Sequence, residues 1–307
     1  MIWSGSATRS RIGRTPVADD RRVVLVTGAS RGAGKGIAEA LGDTGAIVYV
    51  TGRTRTSADP ASLPGTLAET AAEIDRRGGT GIAVACDHRD DEQVAAVAAR
   101  IMSDHGRLDI LVNNAYAVPD ALTDDGPFWE KPLDLQQQFD IGLRSTYVMS
   151  FHAAPLLIAD PTRRPLVVST SGYGSVTYMH GPAYGAVKAG VDKLSHDMAV
   201  DFGPYGVTAI SIWVGMQRTE RTRANFLRHP DRYGPGELGT ISESPEFTGR
   251  VIAAFDRWPQ KLELSGRALI GAELGAFLNV EDVDGERPRS RRVFLGDPPR
   301  HHSAVIQ

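Results

Sequence analysis

Tyr184 and Lys188 stand four residues apart, so on a helix they share one face. A tyrosine hydroxyl ordinarily titrates near ~10. An ammonium beside it favours the phenolate and lowers that value, so the pair is expected to be an acid/base tuned toward neutral pH. Ser171 lies thirteen residues before Tyr184, directly after a β-branched run. That puts a hydroxyl at the carboxyl end of a strand, where ligands bind in open α/β folds. Taken singly these residues are bland. Tyr-x-x-x-Lys arises by chance, and Ser171 could simply cap a turn.

A second constellation lies upstream, in Thr27-Gly28-Ala29-Ser30-Arg31-Gly32-Ala33-Gly34, between a strand and a helix. Gly28 permits a tight turn, Gly32 lets the backbone approach a pyrophosphate, and Gly34 lets helix and sheet pack closely. The helix N-terminus then offers free N–H groups to phosphates. Gly28, Ser30, Arg31, Gly32 and Gly34 are therefore candidate cofactor-binding positions. The glycines are spaced i, i+4, i+6, which is not G-x-G-x-x-G. Nor is it a Walker loop, because Lys35 is followed by Gly36. A plain structural turn is the competing reading, but the strand–turn–helix setting favours a nucleotide. The next strand ends in Gly52-Arg53, without the acid that bonds an adenosine ribose hydroxyl in NAD sites. Arg31 and Arg53 could bracket a 2′-phosphate, the bidentate contact to which arginine is suited. That points to NADP(H); the alternative is that both are ordinary surface arginines.

The elements that must position these residues follow from the hydrophobic pattern. Short apolar runs at 23–26, 46–51, 82–86, 108–112, 166–169 and 207–213 read as strands, with 269–270 a final one. Helices are expected at 34–43, 66–77, 91–104, 132–158 and 182–202, and from Ser244-Pro245 to near Trp258. The strands are continuously rather than alternately apolar, which means both faces are buried. Strand–helix alternation of this kind implies a doubly wound parallel sheet between two helical layers, in one three-layer α/β domain at 21–275. Residues 1–20 read as a disordered leader, 216–259 as a substrate lid, and 276–307 as a C-terminal extension that frays after Val293. Phe226, Tyr233, Phe247 and Trp258 would give the lid a partly apolar pocket.

Composition excludes several classes. At 307 residues, 41% hydrophobic and 23% charged, the chain is globular rather than disordered. A net charge of −3 argues against a nucleic-acid surface. The single cysteine, Cys86, allows neither an internal disulfide nor a cysteine-based zinc cluster. No apolar run is long enough to span a bilayer, and no secretory signal is evident, so a cytoplasmic location is expected. The neighbouring His301 and His302 read as tail residues rather than a metal site.

With these pieces assembled, the sequence resembles the short-chain dehydrogenase/reductase family over roughly residues 22–272. The matching pieces are Thr27-Gly28-(x)3-Gly32-x-Gly34, Asp87, Asn113-Asn114-Ala115, Ser171, Tyr184-x-x-x-Lys188 and Gly215-x-x-x-Thr219. Asn113-Asn114-Ala115-Tyr116, Phe128-Trp129-Glu130, Gly142-Leu143-Arg144 and Asp282-Val283-Asp284-Gly285 look closer to one branch of it. The resemblance implies a Rossmann-like fold and hydride transfer between nicotinamide and a small-molecule carbonyl or alcohol. It implies that Tyr184 exchanges a proton with the carbonyl oxygen, that Lys188 lowers its pKa and bonds the nicotinamide ribose, and that Ser171 steadies the oxygen. Asp87 would lie by the adenine, Asn113 by the ribose edge and Thr219 by the carboxamide. A homodimer or homotetramer built on the helices near 132–158 and 182–203 is also implied.

The chain departs from the family pattern in three places. Gly142 stands where an asparagine usually holds a relay water. Tyr116 replaces a glycine, and Val214 a proline. Tyr116 would either wall the pocket or pack in the core. The change at Gly142 keeps open a second reading, a dinucleotide-binding regulatory protein with little or no turnover.

Overall fold

Val23–Val26 (β1) is an uninterrupted apolar run, and its side chains alternate between two separate cores. Val24 and Val26 face one, Val23 and Leu25 the other. The same holds for Ile47–Gly52 (β2), Ile110–Asn113 (β4), Leu166–Ser171 (β5) and Thr208–Trp213 (β6). Thr80–Ala85 (β3) and Ala268–Ile270 (β7) form the two edges. All seven pair in parallel, in the order β3-β2-β1-β4-β5-β6-β7. The computed structural model describes residues 20–55, 63–228 and 242–306. The leader read at 1–20, except its last residue, lies outside them, as do Tyr233-Gly234-Pro235-Gly236 of the expected lid.

Helices Gly32–Gly42 (α1) and Leu67–Arg76 (α2) cover one face, and Asp91–His105 (α3) and Ser145–Leu157 (α4) the other. Pro182–Phe202 (α5) lies against β5 and β6 and adds Phe202 to the second core. The strand order reverses between β1 and β4, with β2 and β3 added to one side of β1 and β4 to β7 to the other. At that switch point the carboxyl ends of the strands open a crevice.

Three expectations change. The single helix expected at 132–158 is broken. A tight turn at Leu133–Gln136 and a wide one at Phe139–Arg144 precede α4. The break falls at Ile141 (φ −112°, ψ 95°) and Gly142 (φ 148°, ψ −58°). Ser145 and Thr146 supply the compensation: the Gly142 N–H donates to Ser145 Oγ (3.0 Å) and Thr146 Oγ1 donates to the Gly142 carbonyl (2.6 Å). Second, the helix after Ser244, Pro245–Arg257 (α7), is no lid. Ser244 Oγ caps it by accepting from the Phe247 N–H, and Phe247 and Val251 are buried in the first core. Trp258 packs on Phe255 and Phe277. Third, the chain beyond Gly271–Phe277 (α8) returns to the body rather than fraying. The Arg291 N–H donates to Tyr173 Oη (2.9 Å), Arg292–Leu295 (α9) ends where Thr177 hydrogen-bonds the Leu295 carbonyl, and the His301 ring lies 4.6 Å from that of His196.

Candidate active site

The crevice at the switch point is a cleft of about 820 Å³ running from the end of β2, past the glycine turn, to the start of α5. Gly28, Ser30, Arg31, Gly32, Gly34, Arg53, Asp87, Ser171, Tyr184, Lys188 and Thr219 all line it. Asn113, expected beside them, does not. It is buried at the end of β4, where its amide donates to Ser150 Oγ (2.9 Å).

Asn114 takes the place at the cleft wall. Its amide donates to the carbonyls of Thr27 (2.9 Å) and Gly28 (3.2 Å), and Thr27 Oγ1 accepts from the N–H groups of Asn114 and Ala115 (2.9 and 3.0 Å). These bonds clamp the first turn to the strand-four loop. Gly34 is required by the same contact, since a Cβ there would come within 2.3 Å of the Gly28 carbonyl and 2.4 Å of the Asn114 amide. Asn114 belongs to the Asn-Asn-Ala motif, but a carboxamide's partners are not readable from its neighbours in sequence.

At the far end, Arg53 projects exposed from the end of β2. Arg31 is tied to Thr54 Oγ1 (3.1 Å) and the Gly65 carbonyl (3.2 Å), which leaves other donors of its guanidinium for a ligand. Asp87 is paired with Arg89 at 2.7 Å, and that pairing holds its carboxyl below the usual range. His88 lines the cleft beside it. It is buried against Thr51 Oγ1 (2.9 Å), and burial pushes it down to about 4, so it is neutral at pH 7. Thr219 opens Glu220–Arg228 (α6), where its hydroxyl accepts from the Thr222 N–H. Glu220 then reaches across to the glycine turn, and its Oε2 accepts from the Gly32 N–H at 3.1 Å. That N–H already holds an anionic oxygen, as expected of a phosphate-binding donor.

Three side chains meet at the near end. Lys188 is 8% exposed and donates to the Thr170 carbonyl (3.3 Å), while Ser171 Oγ donates to the Lys188 carbonyl (3.2 Å). The edge of the Tyr184 ring lies against Gly174, where a Cβ would fall 2.3 Å from Cε1 and 2.5 Å from Cδ1. Its hydroxyl lies over Gly172, 3.6 Å from a Cβ built there. The hydroxyl therefore sits at the turn that directly follows Ser171. His180, at φ 58°, packs edge-on against Tyr184 with ring centroids 5.1 Å apart. Sequence reading missed it.

The electrostatics reverse one expectation. Burial pushes the Tyr184 hydroxyl up to about 12 and the Lys188 ammonium down to about 8, the latter partly offset by Asp192 one turn on. The ammonium lies 5.6 Å from the Tyr184 ring centroid, too far to outweigh the desolvation of the phenol. Among the protein's own groups, then, Tyr184 keeps its proton at neutral pH and Lys188 sheds its proton easily.

Of the expected lid, the described residues at the cleft are Gln217 and Thr219 to Thr222, which follow Val214 and Gly215 along its wall, and Arg221 bridges to Asp120 on the opposite rim (3.3 Å). Behind them lies buried Glu243. It accepts from the Gly215 N–H (3.1 Å), and burial pushes its carboxyl up to about 7.

The family described as short chain dehydrogenase matches residues 22–229. Dehydrogenase/reductase SDR family member 1 of Mus musculus is 34% identical over 284 residues, covering 90% of this chain and 87% of that protein. Its Homo sapiens counterpart is 34% identical over 293 residues, 92% and 90% of the two chains. This is the branch whose details the sequence carries. A short chain dehydrogenase from Mycobacterium thermoresistibile superposes with a TM-score of 0.70 at 25% identity, over 85% of this chain and 89% of that one.

Proposed function

Because the chain belongs to the short-chain dehydrogenase family, whose oxidoreductases use a nicotinamide dinucleotide, we propose that it is an NADP(H)-dependent carbonyl reductase or alcohol dehydrogenase. The observation that carries this is the meeting of Ser171, Tyr184 and Lys188 at one end of a cleft whose other end holds the glycine turn.

The residues fit such a group. The Gly32 N–H donates to a carboxylate oxygen, Arg53 follows β2 with no acid among the described residues there, and Arg31 of the glycine turn reaches Thr54 beside it. Gly28, Ser30, Gly32 and Gly34 would hold the pyrophosphate, Arg31 and Arg53 the 2′-phosphate, Asp87 and His88 the adenine end, and Lys188 and Thr219 the nicotinamide half. When bound, the dinucleotide supplies or accepts the hydride. Tyr184 supplies the proton. A hydroxyl held near 12 is protonated at pH 7, and in reduction it gives its proton to the carbonyl oxygen; in the reverse direction it takes the proton back. Lys188, depressed toward neutrality, is suited to restore that proton. Ser171 exchanges its long bond to the Lys188 carbonyl for one to the substrate oxygen and steadies the developing charge.

Homodimer or homotetramer assembly and a cytoplasmic location belong to the same reading. Tyr147 and Phe151 on α4 are 56% and 64% exposed, which suits assembly through that helix. No helix among the described residues is long and apolar enough to cross a membrane.

The test is NADPH oxidation with a panel of ketones, quinones and steroids. Tyr184→Phe is expected to lose ~10²-fold or more in turnover while NADPH still binds. Arg53→Ala is expected to erode the preference for NADPH over NADH about tenfold, the loss of one charge-assisted phosphate bond. An unchanged preference would refute the cofactor assignment. Tight NADPH binding with no turnover on any carbonyl would favour the regulatory dinucleotide-binding reading.

A further inference from the structure

We propose that Tyr116 is a positioning residue for Lys188: the face of its ring holds the lysine ammonium in place, and Gly142 and Gln138 seat that ring. The departures at 116 and 142 then form a single unit.

The Lys188 Nζ lies 4.4 Å from the Tyr116 ring centroid, closer than to the Tyr184 ring at 5.6 Å. It is buried, and its hydrogen bond to the Thr170 carbonyl is long, at 3.3 Å. A buried ammonium so sparsely bonded gains most from an aromatic face, since cation–π attraction strengthens on desolvation. The ring can occupy that place only over a glycine. A Cβ at position 142 would fall 2.8 and 2.9 Å from Tyr116 Cδ2 and Cε2, and the φ of 148° there disfavours any other residue. The hydroxyl is anchored on the far side, donating at 2.5 Å to Oε1 of Gln138. That buried amide in turn donates to the Leu135 carbonyl (2.9 Å). The broken segment before α4 is therefore what seats Tyr116. Two titratable groups besides Tyr116 face Lys188: Tyr184 on its own helix, and Asp192, whose carboxylate is held by Ser211 and Trp213. β5 contributes Thr170 and Ser171, which do not titrate.

The contact stands apart from the proposed reaction; only its effect on rate rests on that reading. The full chain labelled with 13C-lysine has five lysines, so the Cε resonance of Lys188 can be assigned with Lys188→Met and titrated. Tyr116→Leu is expected to lower the Lys188 midpoint by about one pH unit, and Tyr116→Phe, which keeps the face but loses the hydroxyl's bond to Gln138, to recover most of that shift. Gln138→Leu, which frees the ring but leaves it present, is expected to lower the midpoint by less, and it serves should the Tyr116→Leu chain fail to fold. A midpoint that stays or rises in Tyr116→Leu, or that stays in Gln138→Leu, overturns the proposal, as does a Tyr116→Phe chain that shifts as far as Tyr116→Leu. Absence of turnover in the wild-type chain would count against the reductase reading and leave this titration decisive for the contact. Where turnover is measured, Tyr116→Leu is expected to move the pH–rate profile in the same direction, with rescue by Tyr116→Phe.

Discussion

The two ends of the sheet both bury charge, and they treat it in opposite ways. At the amino ends of the strands, Asp109 is fully buried and surrounded. The Val23 N–H (2.8 Å) and Arg163 Nε (3.0 Å) donate to it, and Arg22 and Arg107 stand at 3.5 Å. Asp256 nearby takes a bidentate pair from Arg22 at 2.8 Å and the Lys261 ammonium at 2.6 Å. At the carboxyl ends, Lys188 has a carbonyl and an aromatic face, and Glu243 has backbone and amide donors; burial drives both toward their neutral forms. A buried charge with full partners holds the fold together. One left short of partners keeps a mobile proton near neutral pH, which is what acid/base chemistry needs.

The contrast can be broken first at the amino end. Asp109→Asn leaves three arginines around a neutral group and is expected to cost about 3 kcal/mol in urea unfolding, with NADPH affinity intact. A loss under about 1 kcal/mol would mean the cluster is dispensable. At the carboxyl end the sign is opposite. The Glu243 carboxyl is raised in the fold from 4.5 to about 7, so its ionised form costs stability above pH 7, and that cost disappears as pH falls from 7 to 4.5. Glu243→Gln should therefore raise stability at pH 8, by up to about 3 kcal/mol, read as a higher thermal midpoint, and the gain should vanish by pH 4.5. A variant less stable than the parent at pH 8 would show that the charge is compensated after all. The smallest effect is expected from Glu220→Gln. Relieving a carboxylate from the Gly32 N–H should tighten NADPH binding on the order of fivefold, measured by calorimetry; weaker binding would mean that Glu220 supports the site rather than competes for it.

Strand–helix alternation and the continuously apolar strands made the parallel sheet legible, because burial on both faces leaves no polar alternation. The glycine turn, Ser171, Tyr184 and Lys188 were legible because each lies next to the element that carries it. Three things were not. The break at Gly142 reads as helical in sequence, since Ser145 and Thr146 repair it with side-chain bonds that a hydrophobic pattern does not record. Asn113 and Asn114 are neighbours, yet only the pleat decides which one faces α4 and which the cleft. Phe247 and Trp258 lie in the stretch read as a lid with a partly apolar pocket, but they belong to packed layers.

The sequence by itself determined the sheet, the glycine turn and the presence of a phenol, an ammonium and a hydroxyl, because local spacing and periodicity are properties of the chain alone. The tertiary structure decided their proton affinities and the seating of Tyr116 over Gly142. Burial and the approach of residues 26 positions apart exist only once the layers have closed around them.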